Sequence, residues 1–143
     1  MIKNKSKGFT IIELLVVIAI IAVLAAIVLV NVTSYIAKGK DAAIKGNLAT
    51  MLVNAAVIYD NASPSSYATF ITTGCTAGDN SFMSPRAAII AAGGTVSCPT
   101  STASSWCVRS TLNGGGSFCV DNTGFKGTPT ASTDCASADL SCQ

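Results

Sequence analysis

One acidic residue, Glu13, lies at the start of a long apolar segment, and its charge is the feature that most needs an explanation. Residues 14–30 carry no polar side chain, and Glu13 is the only glutamate of the chain. A charge inside a bilayer costs roughly 2.5–3.5 kcal/mol on insertion scales, so an ionisable residue there calls for a partner and a function. Cleavage after Gly8 would create a partner, because Phe9 would then carry a positive α-amino group.

Six cysteines form the second reactive group, and all of them lie far beyond the apolar segment. An even number in that position predicts three disulfides formed in an oxidising compartment. A zinc site is disfavoured, since the chain has no histidine and no Cys-x-x-Cys pair. The six residues are Cys75, Cys98, Cys107, Cys119, Cys135 and Cys142.

The acidic residues of the C-terminal part do not form a recognisable catalytic pair. With no histidine in the chain and no pocket that can be inferred around two carboxylates, we expect no enzymatic activity. Asp121, Asp134 and Asp139 could bind a cation, although their spacing is unlike that of an EF-hand loop. We therefore expect no cofactor, with calcium bound in this tail as the alternative to an exposed, variable surface.

The positive charge of the chain is concentrated at its beginning. The formal net charge is +2, but Lys3, Lys5 and Lys7 all precede Phe9, and beyond them six basic residues face seven acidic ones. No basic stripe with interleaved aromatic residues is present, so we expect no nucleic-acid partner.

The apolar segment is long enough to cross a membrane. Residues 9–30 would span roughly 33 Å as an α-helix. A secretory signal peptide is the alternative, but this segment is too long for one and no small-x-small cleavage site follows it. Lysines before the span predict a cytoplasmic N-terminus, which places the cysteines outside the cytoplasm.

The residues around Glu13 resemble a known processing signal. After the short lysine-rich leader, the chain reads Gly8-Phe9-Thr10-Ile11-Ile12-Glu13-Leu14-Leu15. This pattern resembles the class III signal of type IV pilins and type II secretion pseudopilins, and the resemblance is close over residues 3 to 35. It implies that a membrane aspartyl prepilin peptidase cuts between Gly8 and Phe9 and methylates the Phe9 amine, so that the protein is a substrate and not an enzyme.

The resemblance also implies a role for Glu13 in assembly. In a filament, its carboxylate would meet the Phe9 amine of an adjacent subunit and fix the stagger between copies; the alternative is an acid that lies at the lipid headgroup level. The sequence departs from common relatives at Ala22 and Val30, where glycine and proline often occur. Gly39 and Gly46 are then the expected weak points of the helix.

The spacing of apolar residues predicts one helix from about Phe9 to Tyr59. Its second half carries a stripe at helical spacing, formed by Ile44, Leu48, Met51, Leu52, Ala55, Ile58 and Tyr59. We expect an α+β, pilin-like fold in which this long helix packs on a small antiparallel sheet. The expected segments are a leader (1–8), a transmembrane and assembly helix (9–31), its amphipathic continuation (32–60) and a disulfide-stapled head (61–143).

Within the head, we expect a short helix capped by Ser84, with Pro85 in its first turn and a glycine stop at Gly93. Strands are expected at residues 95–98, 105–112 and 117–121. The apolar faces of the last two coincide if a three-residue loop or a glycine bulge joins them.

That register places Val108 opposite Phe118, Trp106 opposite Val120 and Cys107 opposite Cys119. Cys107–Cys119 is therefore the expected disulfide, and Cys75–Cys98 and Cys135–Cys142 complete the set. Fifteen pairings are possible for six cysteines. The resemblance favours an alternative in which Cys135 closes onto Cys119.

Together these expectations describe a structural subunit of a type IV pilus. It would be inserted in the cytoplasmic membrane and polymerised with copies of itself by an ATP-driven platform. The alternatives are a pseudopilin of a secretion or DNA-uptake system, confined to the periplasm, and an adhesive or DNA-capturing minor pilin. The sequence leaves open which of these applies, as well as glycosylation, retraction and the adhesion target.

Overall fold

A computed structural model describes residues 8–131, Cys135 and residues 140–143. Its elements are helices α1 (Ile11–Asn61) and α2 (Asn80–Ala91) and strands β1 (Val96–Ser97), β2 (Cys107–Thr111), β3 (Ser117–Asp121) and β4 (Lys126–Gly127). The strands form one antiparallel sheet in the order β1-β2-β3-β4. The expected α+β class is therefore confirmed. The chain forms two compact units, Met1–Ile36 and Ala37–Gln143, while the four predicted segments stay a prediction.

The apolar stripe in the second half of α1 forms one wall of the main core. Ile44, Leu48, Met51 and Ala55 are fully buried, as the helical spacing predicted. α1 is 51 residues long and continues through Gly39 without interruption. Burial of the stripe therefore outweighs the low helix propensity of an interior glycine, about 1 kcal/mol against alanine.

Aromatic side chains connect the end of α1 to the rest of this core. The ring of Tyr59 lies 4.6 Å from that of Tyr67, measured between centroids. Trp106 packs edge-on against Phe70 at 4.9 Å, and Phe70 packs in the same way against Phe82 at 5.5 Å. Such edge-to-face pairs stabilise a core beyond the area that they bury.

Helix α2 begins earlier than the sequence predicted. Its first residue is Asn80, and the carboxylate of Asp79 accepts a hydrogen bond from the backbone N–H of Ser81 at 2.8 Å. The predicted cap at Ser84 is wrong, because Asp79 already satisfies an N-terminal donor five residues earlier. Pro85 consequently lies inside the helix and not in its first turn.

The β2–β3 register keeps the predicted faces but not the predicted pairs. Val108 lies opposite Val120, and Thr111 lies opposite Ser117, so residues 112–116 form the connecting loop. Val108 and Val120 are both fully buried on the core side. The expected coincidence of the apolar faces is therefore present.

The loop that joins β2 to β3 is longer than expected, which moves every pair by two residues. The prediction that Val108 faces Phe118 is wrong, as is the pairing of Trp106 with Val120. The longer loop has a physical reason in α1: the Asp41 carboxylate accepts hydrogen bonds from the backbone N–H groups of Asn113 at 2.6 Å and Gly114 at 2.9 Å. Without Asp41, the longer loop would leave these two backbone donors without this acceptor.

A fourth strand lies in the stretch that the sequence analysis treated as a tail. Gly124 adopts a positive φ of 87°, which turns the chain back after β3. Lys126 then pairs with Val120, and Phe125 packs against the buried cysteines. Phe125 thus contributes to a small core on this side of the sheet.

Candidate functional site

The first turn of α1 contains a hydrogen-bonded pair, Thr10 and Glu13. Glu13 Oε2 accepts from the backbone N–H of Thr10 and from Thr10 Oγ1, both at 2.8 Å. The backbone N–H of Glu13 donates in return to Thr10 Oγ1 at 3.3 Å. This reciprocal arrangement is a capping box, which satisfies free donors at a helix start.

The capping box was missed in the sequence analysis, although its signal is present. A threonine followed three residues later by a glutamate, just before an apolar run, is its usual pattern. The box gives Glu13 a local role in addition to any intersubunit one. It also orients the carboxylate, because both hydrogen bonds from Thr10 end on Oε2.

The expected cleavage site lies directly before this capped turn and is open to solvent. Gly8 is exposed, and the side chain of Phe9 is 87% exposed. A Cβ atom added at Gly8 would meet no atom within 4 Å, so the packing of the described chain does not require glycine there. Lys3, Lys5 and Lys7 lie outside the described residues.

The apolar part of α1 is exposed among the residues that the structure describes. Its most apolar window has a mean hydropathy of 3.3, and none of that window is buried. A helix of this length and composition can cross a membrane. A signal sequence near an N-terminus would satisfy the same criteria of length and hydropathy.

Four of the six cysteines form a second, smaller core on the outer face of the sheet. Cys107, Cys119, Cys135 and Cys142 are all fully buried there and are called the cystine face below. The bridges are Cys107–Cys135 and Cys119–Cys142. The third bridge, Cys75–Cys98, is the one that the sequence analysis expected.

The predicted disulfide Cys107–Cys119 is therefore wrong, and so are Cys135–Cys142 and the alternative Cys119–Cys135. The two-residue change in register is the physical reason, since it places Asp121 and not Cys119 opposite Cys107. Both cysteines still point to the same face, where the C-terminal segment brings one partner to each of them.

Asp121, one of the three expected cation ligands, is buried and already bonded. Its Oδ1 accepts from the backbone N–H and the hydroxyl of Thr123, at 2.9 and 2.6 Å, and its Oδ2 accepts from the N–H of Cys142 at 3.0 Å. Asp134 and Asp139 lie outside the described residues. Across the part of the chain that the structure describes, no three acidic, cysteine or histidine side chains are grouped as metal ligands would be.

Comparisons with known proteins point to the N-terminal segment. Residues 3–29 match a family described as the prokaryotic N-terminal methylation motif. Over 46 residues, the chain is 52% identical to the type IV major alpha-pilin of Moraxella bovis, a match that covers 32% of this chain and 29% of that relative. The chain thus matches less than a third of the relative's length. No solved structure matches the chain.

Proposed function

We propose that this type IV pilin-like protein is the structural subunit of a type IV pilus, made as a prepilin and polymerised through α1. The pilin family is structural and not enzymatic. One observation carries the proposal: the methylation motif coincides with the first part of α1, where the apolar side chains are exposed and the only acid, Glu13, is hydrogen-bonded in the first turn. The exposed apolar side chains of such a helix would be covered by lipid before assembly and by other copies of the helix in the filament.

The first proposed step is removal of residues 1–8 by a prepilin peptidase on the cytoplasmic side. The exposed peptide bond between Gly8 and Phe9 is accessible in the described chain, and glycine there has no packing role. We therefore assign the need for glycine to the peptidase site. Substitution Gly8→Val should block processing while the Tm of the head, measured on the full chain in detergent, stays unchanged.

The second proposed step joins Glu13 to a neighbouring copy. Thr10 holds Oε2, so Oε1 can accept from the methylated Phe9 amine of an adjacent subunit. In the apolar interior of a filament, such a pair is stabilising only when both charges are present, and a wrong stagger would leave each one buried and unpaired. The pair would therefore select one register between subunits.

Glutamine at position 13 separates the pairing role from the capping role. A capping box accepts glutamine as well as glutamate, so Glu13→Gln keeps the first turn but removes the charge, whereas Glu13→Ala removes both. In a strain that has the assembly machinery but lacks its own major subunit, both variants should be cleaved after Gly8 and both should fail to form filaments. Filaments of Glu13→Gln at wild-type abundance would refute the charge pairing and leave capping as the role of Glu13.

Mass spectrometry of the membrane and filament forms tests the processing itself. The expected mature chain begins at Phe9, carries one added methyl group and lacks the six hydrogens lost on forming three disulfides. A chain that keeps residues 1–8, or that begins elsewhere, would contradict the proposal at its first step.

A pseudopilin of a secretion or DNA-uptake system is the second candidate. It would share the helix, the processing and the exported head, but the fibre would stay in the periplasm. The name of the relative, a major pilin, favours the pilus. Surface filaments that contain this chain would support the first candidate, and periplasmic retention would support the second. A role in adhesion or DNA capture has no such observation in its favour.

Further partners follow from the proposal. Lipid is as apolar as a filament core, so transfer of α1 between them has little hydrophobic driving force. An ATP-driven platform would therefore have to extract α1 from the membrane.

No cofactor is proposed. A calcium ion would compete with Thr123 and Cys142 for Asp121, and a rise in Tm on adding calcium would support such a site.

A further inference from the structure

The two bridges of the cystine face cross each other along the chain. Cys107 pairs with Cys135 over a separation of 28 residues, and Cys119 pairs with Cys142 over 23. Each bridge therefore has one of its two cysteines inside the loop that the other one closes. The simpler pairing, Cys107 with Cys119 and Cys135 with Cys142, would close two shorter loops, and closing a short loop costs less conformational entropy.

The hairpin brings the wrong partners near each other as well. Cys107 and Cys119 lie on the same face of the paired strands β2 and β3, where Cys107 is opposite Asp121 and Cys119 is opposite Arg109. They are thus diagonal neighbours on one surface. Export in the order of the chain, which rests on the proposed topology, would also deliver Cys107 and Cys119 to the oxidising side before Cys135 and Cys142.

We propose that maturation of this protein requires a disulfide isomerase, a dithiol protein of the oxidising compartment that converts the Cys107–Cys119 and Cys135–Cys142 bridges into the native pair. Once both wrong bridges are present, the cystine face contains no thiol of its own. Cys75 and Cys98 are bridged to each other and do not supply one. Disulfide exchange needs an attacking thiolate, and this thiolate must therefore come from another molecule.

The exchange is balanced and returns the isomerase unchanged. Its thiolate attacks the sulfur of Cys107, forms a mixed disulfide there and releases the Cys119 thiolate. Cys119 attacks Cys142, which forms the native Cys119–Cys142 bridge and releases the Cys135 thiolate. Cys135 then attacks Cys107 in the mixed disulfide, which forms Cys107–Cys135 and restores the isomerase thiolate. No net oxidation or reduction takes place.

Burial explains why the native pair accumulates. All four sulfurs of the cystine face belong to residues with no exposed surface in the folded head, and Phe125 packs against them. A thiolate reaches a disulfide only where it has access, so folding removes the native bridges from further exchange. The wrong bridges would stay accessible because the C-terminal segment is then not anchored on the sheet.

A tryptic map of the unreduced full-length chain distinguishes the two pairings. Cleavage after Arg86, Arg109 and Lys126 leaves Cys135 and Cys142 together in residues 127–143. In the native pairing, this peptide is joined to the peptides of Cys107 and Cys119. In the wrong pairing, it is released with its own internal disulfide.

The experiment compares the chain exported in a Gram-negative host with and without its periplasmic disulfide isomerase, the thiol oxidase being kept in both. Without the isomerase, we expect loss of most of the joined assembly and appearance of the released peptide 127–143. The Cys75–Cys98 link should be unaffected, because these two cysteines are neighbours in the cysteine order. A native map in both strains would overturn the inference while leaving the pilus proposal intact.

Two further measurements of free thiols could contradict the requirement for an isomerase. Six free thiols in both strains, including Cys75 and Cys98, would overturn the exported topology and the inference with it. In the variant Cys135→Ala/Cys142→Ala, Cys107 and Cys119 should form a bridge to each other. If they remain free thiols in the exported chain, the proposed intermediate is not accessible and the inference fails.

Discussion

The side-chain amide of Asn54 in α1 donates a hydrogen bond of 2.7 Å to the backbone carbonyl of Ser81 in α2. In a regular helix this carbonyl would accept from residue 85, which is proline and has no N–H. Asn54 therefore supplies from another helix the donor that α2 cannot supply itself. This bond allows Pro85 to lie inside α2 and ties α2 to α1.

Removal of the amide should destabilise the head. We expect Asn54→Ala to lower the free energy of unfolding by about 1–2 kcal/mol, because it leaves a partly buried carbonyl unpaired. Pro85→Ala restores the missing N–H, so the same Asn54→Ala change should cost clearly less in that background. Denaturation of the four full-length variants in detergent measures the coupling; equal costs in both backgrounds would show that the Asn54 bond does not replace the helical one.

Asp41 should make stability depend on pH in the acidic range. Partial burial raises the pKa of Asp41, but hydrogen bonds from Gly114 and Asn113 lower it by more, so the carboxyl keeps a pKa below its ordinary value of 3.8. A depressed pKa in the folded state contributes stability above the unfolded pKa, and this contribution is lost as the pH falls through the folded value.

The Tm of wild type and Asp41→Asn, measured between pH 6 and pH 2, tests this dependence. The advantage of the wild type should be constant above about pH 5 and should shrink below about pH 4. Asp79 also has a lowered pKa, caused first by the Ser81 side chain and then by its backbone N–H, but it is present in both variants and cancels. Parallel Tm curves down to pH 2 would contradict the role assigned to Asp41.

The N-cap of α2 gives a matched pair of variants. Asp79→Ala removes the acceptor for the Ser81 N–H and should cost about 1 kcal/mol, with a range of 0.5–2. Asp79→Asn keeps an acceptor of similar quality and should stay close to wild type. A loss of stability in both variants would mean that the charge, and not the cap, is what Asp79 contributes.

Two positions on α1 test which face of the helix packs on the sheet. Leu48 is fully buried, whereas the side chain of Val53 is 63% exposed. We expect Leu48→Ala to lower the free energy of unfolding of the head by about 2–5 kcal/mol. Val53→Ala should change it by no more than about 0.5 kcal/mol. Similar losses at both positions in the full-length chain would contradict the buried stripe.

The sequence was sufficient for whatever depends on local periodicity. The 3.6-residue spacing of Ile44, Leu48 and Met51 placed the core face of α1 correctly, because helical geometry relates those positions within a few residues. Alternation likewise put Val108 and Val120 on one face. The Thr-x-x-Glu pattern at Thr10 was equally local, and the capping box could have been predicted from it.

Only the tertiary structure decided what depends on residues far apart in the chain. Asp41 holds Asn113 across 72 positions and so sets the length of the β2–β3 loop, the register and the separation of Cys107 from Cys119. Asn54 allows Pro85 to lie inside α2 because it donates to the carbonyl of Ser81, which is 27 positions further along the chain. Neither contact has a signature in local spacing, because each exists only once the fold has brought two distant segments within hydrogen-bonding distance.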